Sequence, residues 1–181
     1  MRCLRLTIST ATVTTGANNQ VVRVGVTITY QWFTNAKWSF HSRDNITVNW
    51  DGSVFGRSGF NARDYVTSIA GEVFVREQTA PMEAIQGGLG YFAFTPMTFH
   101  GVPAGFWRGI ATFNLIPQGL PMFWGGNNPP QSTDINVRYV HNNNPLPFLG
   151  FGFSVSGVTV NVNTALLWRA RTATMQYWFR R

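Results

Sequence analysis

The sequence predicts an all-β protein: a single antiparallel β-sandwich or jelly roll of about eight to ten strands, with at most one short helix. Apolar and polar residues alternate with period two along most of the chain, which is the pattern of half-buried strands. The 18 glycines and 9 prolines punctuate these segments and indicate turns. With 181 residues, 44% of them hydrophobic, the chain can bury one core, and we expect one domain over residues 1–181.

The strands follow in chain order from this alternation. Residues 4–15 form the first, and residues 16–19 form a turn. The clearest pattern comes next, with five apolar residues expected on one face: Val22, Val24, Val26, Ile28 and Tyr30. Residues 45–50 repeat it, and Asp51-Gly52 predicts a hairpin turn before residues 53–55. Further strands are predicted at residues 65–76, 91–99, 106–116, 135–140, 151–162 and 166–179.

Helix is predicted at one place. Residues 79–86 can form a helical turn, because Pro81 suits the first turn of a helix and Glu83 follows it. Residues 125–130 and 141–145 are rich in Gly, Asn and Pro and are predicted to be exposed loops.

The charge is low in amount and unusual in kind. Only 12% of the residues are charged, which argues against a disordered tail, a coiled coil or a charged helical bundle. The net charge is +7, and Lys37 is the single lysine beside thirteen arginines. Arginine suits phosphate, carboxylate and protein interfaces. A coding bias toward arginine explains the same count without a partner.

No cofactor or metal is expected. Cys3 is the single cysteine, so it offers neither an internal disulfide nor a cysteine-based metal site. The three histidines, His41, His100 and His141, are far apart in sequence and lack metal-ligand spacing. The N-terminus has no apolar run of signal-peptide length, and no stretch is apolar for long enough to span a membrane.

We also expect no enzymatic activity. A glycosidase needs two carboxylates facing each other across a cleft, whereas Glu72 and Glu77 would fall on opposite faces of one strand. No Gly-x-Ser-x-Gly motif indicates a serine nucleophile. A jelly-roll glycoside hydrolase stays the less favoured alternative, because residues 172–178 resemble a strand of small basic xylanases.

Two groups of residues are candidates for contacts with partners. Aromatic pairs beside glycine or proline at predicted strand ends are typical of subunit interfaces, and they are Phe106, Trp107, Phe123 and Trp124. Arginines near the two chain ends can contact nucleic acid or acidic residues of adjacent subunits, and they are Arg2, Arg5, Arg169, Arg171, Arg180 and Arg181.

Two segments resemble virion proteins. Residues 106–113, Phe-Trp-Arg-Gly-Ile-Ala-Thr-Phe, are similar to a strand opening of picorna-like coat proteins. Residues 17–26 resemble a strand of the microvirus spike protein. The resemblance implies a structural protein of an icosahedral virion, located in the virion, that forms a shell or spike. Its partners would be copies of itself or other capsid subunits, and the arginines would be available to the packaged viral nucleic acid.

A carbohydrate-binding, lectin-like β-sandwich is the main alternative. In that case Trp32, Trp38 or Trp50 would provide flat platforms on which sugars stack.

Overall fold

The computed structural model describes residues 4–16, 18–32, 44–68, 70–77, 83–85, 88–94, 104–125, 130–141, 154–155, 158–159 and 169–181. Within them the chain folds into strands: β1 (Leu4–Thr15), β2 (Gln20–Trp32), β3 (Asp44–Asn49), β4 (Phe55–Ser68), β5 (Val73–Glu77), β6 (Glu83–Ile85), β7 (Leu89–Phe94), β8 (Ala104–Pro117), β9 (Gln131–His141), β10 (Ser154–Val155), β11 (Val158–Thr159) and β12 (Arg169–Phe179).

Ten of these strands form two five-stranded antiparallel sheets. Sheet A has the order β1-β2-β8-β4-β5, and sheet B has the order β12-β9-β3-β7-β6. Strands β10 and β11 pair with each other in a separate two-stranded sheet. The prediction of an all-β antiparallel sandwich is therefore confirmed.

The strand order resembles that of immunoglobulin-type sandwiches. In those sandwiches one sheet has the order A-B-E-D and the other the order C-F-G. Here β1-β2-β8-β4 takes the first order, and β3-β9-β12 takes the second. Of the two architectures expected from the sequence, this order favours the sandwich with immunoglobulin-like pairing.

The core lies between the two sheets, where alternate residues of each strand face inward. Strand β2 buries Val24, Val26, Ile28, Tyr30 and Trp32. Strand β9 of the opposite sheet buries Ile135, Val137 and Tyr139. The large aromatic side chains from both sheets meet here, and aromatic pairs of this kind add to the free energy gained from apolar burial.

A bulge changes which residues of β2 face the core. Val13 pairs with Arg23 but Thr14 pairs with Val21, so one extra residue interrupts the register. Val21 is therefore buried, 4% exposed, while Val22 is 43% exposed. The prediction that Val22 shares the apolar face was wrong. A single extra residue reverses the alternation on one side of the bulge, so Val21 and not Val22 faces the core.

The turn at Asp51 does not close a hairpin. Strand β3 belongs to sheet B and β4 to sheet A, so residues 50–54 cross from one sheet to the other. Asp51 shapes the crossing by accepting the backbone N–H of Ser53 at 2.9 Å, and its carbonyl accepts the N–H of Phe55 at 2.9 Å. The predicted turn is present, but the chain crosses to the other sheet instead of pairing β4 with β3. Trp50 and Phe55, on the two sides of this turn, are both buried in the core.

Two further predictions need correction. The strand expected at residues 65–76 is the end of β4 and most of β5, separated by a turn in which Gly71 has a φ of 87°. The helical turn expected at residues 79–86 is wrong at Glu83–Ile85, which form β6 and pair with β7. Pairing with an available strand edge outweighs the weak helical preference of this short segment.

The two sheets are joined at one end by a short segment, Met122–Trp124. Phe123 forms isolated β-bridges with Gln20 of sheet A and with Arg180, which follows the last strand of sheet B. Its N–H donates to the Arg180 carbonyl at 2.8 Å. We call this the Trp124 end.

The opposite end is called the Trp32 end. Trp32 pairs with Trp107 near the start of β8, and Asp44 pairs with Phe94 at the end of β7. The two sheets meet there through Trp32, whose indole N–H donates to the Tyr139 hydroxyl at 3.3 Å.

Candidate functional site

A buried polar network lies at the Trp32 end. Tyr30 of β2 donates its hydroxyl to Asp64 Oδ1 of β4 at 3.1 Å, although β8 lies between these two strands. The residue of β8 in this row is Gly109, which pairs with both Tyr30 and Asp64. Because glycine has no Cβ, the tyrosine ring can lie across β8 and reach the carboxyl group.

The second half of the network connects the two sheets. The Tyr139 hydroxyl accepts the Trp32 indole N–H and donates to Asp44 Oδ2. The rings of Tyr30 and Tyr139 have centroids 5.4 Å apart, so the two halves are in contact.

The pKa of Tyr139 is raised well above its ordinary value, mainly by burial. The charge of Asp44 and its hydrogen bond also favour the protonated phenol, whereas the Trp32 hydrogen bond lowers the pKa. Tyr139 is therefore a hydrogen-bond donor over the whole neutral range of pH.

This network serves the fold because solvent does not reach it. Its five side chains are at most 1% exposed: Tyr30, Trp32, Asp44, Asp64 and Tyr139. A substrate would have no access to the two carboxyl groups. Buried polar groups that are hydrogen-bonded to one another fix a single arrangement of a core. The burial of these two aspartates was not predicted. Asp64 lies two residues after the buried Ala62 in β4, and this alternation was the available signal that Asp64 faces the core.

The accessible site is an apolar groove at the Trp124 end, which we call the tryptophan groove. It has a volume of about 280 Å³ and is lined by Trp124, Gly125, Pro130, Trp178, Phe179 and Arg180. Trp124 is 44% exposed and Trp178 is 48% exposed, although both are among the largest apolar side chains. Exposed apolar side chains around one groove make it a candidate contact site.

Tyr177 supports the groove from below. Its ring centroid lies 5.4 Å from that of Trp124, and its hydroxyl is 3.0 Å from Thr12 Oγ1 of β1. Burial raises the pKa of Tyr177, while the Thr12 hydrogen bond lowers it. The ring is thus held between the two sheets, and Trp124 rests on a fixed surface.

The described lining of the groove is mainly apolar. Among these lining residues Arg180 has the one charged side chain, and none of the described side chains is a carboxylate, amide or hydroxyl group. The described lining residues therefore offer mainly apolar contacts together with the Arg180 guanidinium.

The predicted interface aromatics are only partly described. Trp124 lines the groove, and Phe123 is half-buried in the segment that joins the sheets. Phe106 and Trp107 lie in β8, and their side chains are outside the described part of the structure. Trp178 was not predicted to be a contact residue, and its position between Tyr177 and Phe179 in an alternating strand was the signal available in the sequence.

The predicted arginines are spread over the molecule. Arg5 is exposed on β1, next to Leu4, which pairs with Trp32. Arg171 is exposed on β12 and pairs with Tyr139, also at the Trp32 end.

The other terminal arginines lie elsewhere or outside the description. Arg180 and Arg181 are at the Trp124 end, where Arg181 donates to the Gln118 carbonyl at 3.4 Å. Arg2 and the side chain of Arg169 are outside the described residues. Ten residues of strand span roughly 34 Å, so Arg171 and Arg181 cannot contact one short ligand together.

The structure also describes several of the residues considered for sugar binding and for glycosidase activity. Trp32 and Trp50 are buried, so the expectation that they act as sugar platforms was wrong. Trp38 lies outside the described residues. Glu72 is exposed just before β5, and the side chain of Glu77 is not described.

The described residues contain neither a candidate metal cluster nor a membrane-spanning helix. No group of three or more His, Cys, Asp or Glu residues in that part of the chain is placed to hold a metal ion. Within the same residues, no helix is long and apolar enough to cross a membrane.

Comparisons with known proteins identify no family. No family model and no curated protein matches the sequence. Among solved structures, the chain is similar to BspA_C_mut, with 12% identity and a TM-score of 0.44 over 88% of this chain and 46% of that one. The chain thus spans less than half the length of BspA_C_mut.

Two other solved structures are similar. One is AvmM, described as catalysing macrocyclization in alchivemycin A biosynthesis, with 10% identity and a TM-score of 0.36 over 96% of this chain and 87% of that one. The other is the KRT10-binding region domain of the pneumococcal serine-rich repeat protein PsrP, with 8% identity and a TM-score of 0.30 over 78% of this chain and 89% of that one. The strand order and the two packed sheets described above define the chain as a β-sandwich module.

Proposed function

We propose that the chain is a non-catalytic structural subunit that assembles with copies of itself or with sister subunits through the tryptophan groove. The observation that carries this proposal is the exposure of Trp124 and Trp178 around one apolar groove. Tryptophan and arginine are the residues that most often dominate the binding energy of protein interfaces. Arg180 at the rim adds the second of these residue types.

A projecting apolar residue of the same chain supports contact with a second copy. Leu120 is 65% exposed, the highest value among the large hydrophobic side chains that the structure describes. It follows Gly119, whose φ of 75° allows a turn between Gln118 and Pro121. Leu120 of one subunit can fill the groove of a neighbour, since covering both tryptophans removes apolar surface from water.

This contact can form closed assemblies. Leu120 and the groove are both near the Trp124 end, so a two-fold axis can bring each leucine to the other subunit's groove. If the two surfaces meet without such an axis, repetition builds a ring where the rotation closes and an open filament where it does not. A closed dimer or ring is compatible with a unit of an oligomeric coat.

We further propose that the assembly is the shell or spike of an icosahedral virion. The support is the resemblance of residues 106–113 and 17–26 to strands of virion proteins, together with the low charged fraction of 12%. Interfaces are depleted in Lys and Glu, and this chain has one lysine.

Sedimentation velocity ultracentrifugation tests the assembly. We expect the purified chain to sediment as an oligomer whose size increases with concentration. Trp124→Ser combined with Trp178→Ser should shift it to monomer, and Leu120→Ser should do so independently. Val73→Thr is the matched control, because Val73 is 58% exposed on edge strand β5 of sheet A, outside the groove.

Three results would overturn the proposal. A wild-type chain that stays monomeric at high concentration rules out self-assembly. An oligomer that both tryptophan substitutions leave intact excludes the groove as the contact. Glycan-array binding by a monomer, lost in the Trp124→Ser variant, would instead establish the lectin-like alternative.

A further inference from the structure

The outer face of sheet A carries a cluster of arginines at the Trp32 end. Arg5 of β1 pairs with Gln31 of β2, Gln31 pairs with Arg108 of β8, and Arg108 pairs with Tyr65 of β4. These four residues therefore form one cross-strand row on the same side of the sheet. Neighbouring strands are about 4.8 Å apart, so the backbone positions of Arg5 and Arg108 are separated by roughly 10 Å.

A third arginine lies in the next row. Arg63 of β4 pairs with Ile110 of β8, two residues along from Arg108. All three arginine side chains are exposed, whereas Asp64, between Arg63 and Tyr65, faces the core and is buried. We call Arg5, Gln31, Arg63, Tyr65 and Arg108 the arginine face.

Acidic residues are scarce on this side of the sheet. Along the five strands of sheet A the acidic residues are Asp64, which is buried, and Glu77, which pairs with Arg63 on edge strand β5. Exposed arginines thus outnumber acidic residues along the strands of this face. A positive surface of this kind attracts anions and raises their rate of association.

The side chains around the arginines add stacking and hydrogen-bonding capacity. The Arg108 guanidinium lies 4.9 Å from the centre of the Tyr65 ring, so a cation–π contact orients its plane. Uncharged polar residues, Thr7 of β1 and Thr29 of β2, continue the surface along the strands. Planar guanidinium groups bind phosphate in a fork and can stack on bases, and an aromatic ring offers a further stacking surface.

We propose that the arginine face binds single-stranded nucleic acid, with Arg5, Arg63 and Arg108 contacting successive phosphates. The inference extends the proposed structural role to a nucleic-acid partner, but binding is measured directly and does not require assembly. The arginine face keeps Arg5 from the predicted chain-end arginines and adds Arg63 and Arg108 on the same sheet. Failure of binding and failure of assembly are therefore separate results.

Fluorescence anisotropy with a labelled DNA strand of about 20 nucleotides tests the proposal. We expect the wild-type chain to bind at about 50 mM salt and to lose affinity as salt rises. A plot of the logarithm of the binding constant against the logarithm of the salt concentration should fall with a slope of about 0.7 for each phosphate contacted. Arg5→Gln combined with Arg108→Gln should reduce affinity about tenfold and lower the slope by about 1.4. Arg171→Gln combined with Arg181→Gln is the matched control, because it removes the same charge from exposed arginines outside this face.

Arg5→Lys combined with Arg108→Lys separates geometry from charge. This variant keeps the salt slope but loses part of the affinity, because lysine cannot form the planar fork. Thermal unfolding followed by circular dichroism checks that each variant is folded.

Several outcomes would contradict the inference. An equal loss of affinity in the Arg5→Gln, Arg108→Gln variant and in the Arg171→Gln, Arg181→Gln control would mean that net charge alone drives binding. No binding by the wild-type chain at low salt, or affinity that does not change with salt, would exclude phosphate contacts on this face. Equal affinity for heparin and for DNA would remove the assignment to nucleic acid.

Discussion

The ring of Tyr30 lies directly over Gly109. A Cβ atom built at position 109 would be 2.1 Å from Cε2 and Cζ of Tyr30, well inside any allowed contact. This close approach lets the Tyr30 hydroxyl reach Asp64 across an intervening strand. The glycine of the Phe-Trp-Arg-Gly segment thus has a structural role in this fold, independent of any resemblance to other proteins.

We predict that Gly109→Ala destabilises the protein by about 1–3 kcal/mol, the usual cost of overpacking a core. The added methyl group must displace the Tyr30 ring and weaken its hydrogen bond to Asp64. Guanidinium unfolding followed by tryptophan fluorescence measures the change. Gly25→Ala is the control, because its Cβ would make an ordinary contact of 3.6 Å with the Ala11 carbonyl oxygen.

The Gly25→Ala control shows how much a glycine-to-alanine change costs where the new methyl group has room. Gly25→Ala should change stability by no more than about 0.5 kcal/mol, as surface substitutions do. Equal effects of the two substitutions would show that Tyr30 does not occupy the space above Gly109.

The bulge in β2 predicts opposite effects at adjacent valines. Val21→Thr places a hydroxyl group in the core and should cost about 1–3 kcal/mol, whereas Val22→Thr changes an exposed position and should be nearly neutral. Both variants keep a β-branched side chain, so strand propensity is matched. Unfolding free energies from denaturant titration compare them. A larger cost at Val22 would mean that β2 has uninterrupted alternation, as the sequence pattern indicated.

The raised pKa of Tyr139 predicts a loss of stability in alkaline solution. Below about pH 10 this phenol is protonated in both the folded and the unfolded chain and contributes no pH dependence. Above that pH the unfolded chain releases the proton while the folded chain retains it, so the free energy of unfolding falls. Tyr139 alone accounts for a slope of up to about 1.4 kcal/mol per pH unit until the folded-state pKa is reached.

The Tyr139→Phe variant isolates this contribution. Its absolute stability is lower, because Asp44 loses a hydrogen-bond donor. Its free energy of unfolding should nevertheless decline less steeply than that of the wild type between about pH 9 and pH 11. Parallel curves for the two proteins would show that Tyr139 titrates with an ordinary pKa.

The class of fold and much of the local structure follow from the alternation of residues in the chain. Alternation placed β1 over the predicted residues and located most of β2, β3 and β8, since a strand half in contact with a core must alternate its side chains. Trp124, one of the aromatic residues predicted to contact partners, is exposed, and its role in an interface stays a prediction. These features depend on near neighbours in the chain, which is why a single sequence reveals them.

The pairing of strands and the burial of polar residues depend instead on contacts between distant parts of the chain. Asp44 and Asp64 carry the same side chain as the exposed Asp51, yet they lie in the core beside tyrosines distant in sequence. The crossing at Asp51, the extra residue in β2 and the meeting of Trp124 with Trp178 likewise depend on how one sheet lies over the other. Local alternation fixes the two faces of a strand, but the partner of each face comes from a distant part of the chain and is chosen by packing and hydrogen bonding in three dimensions.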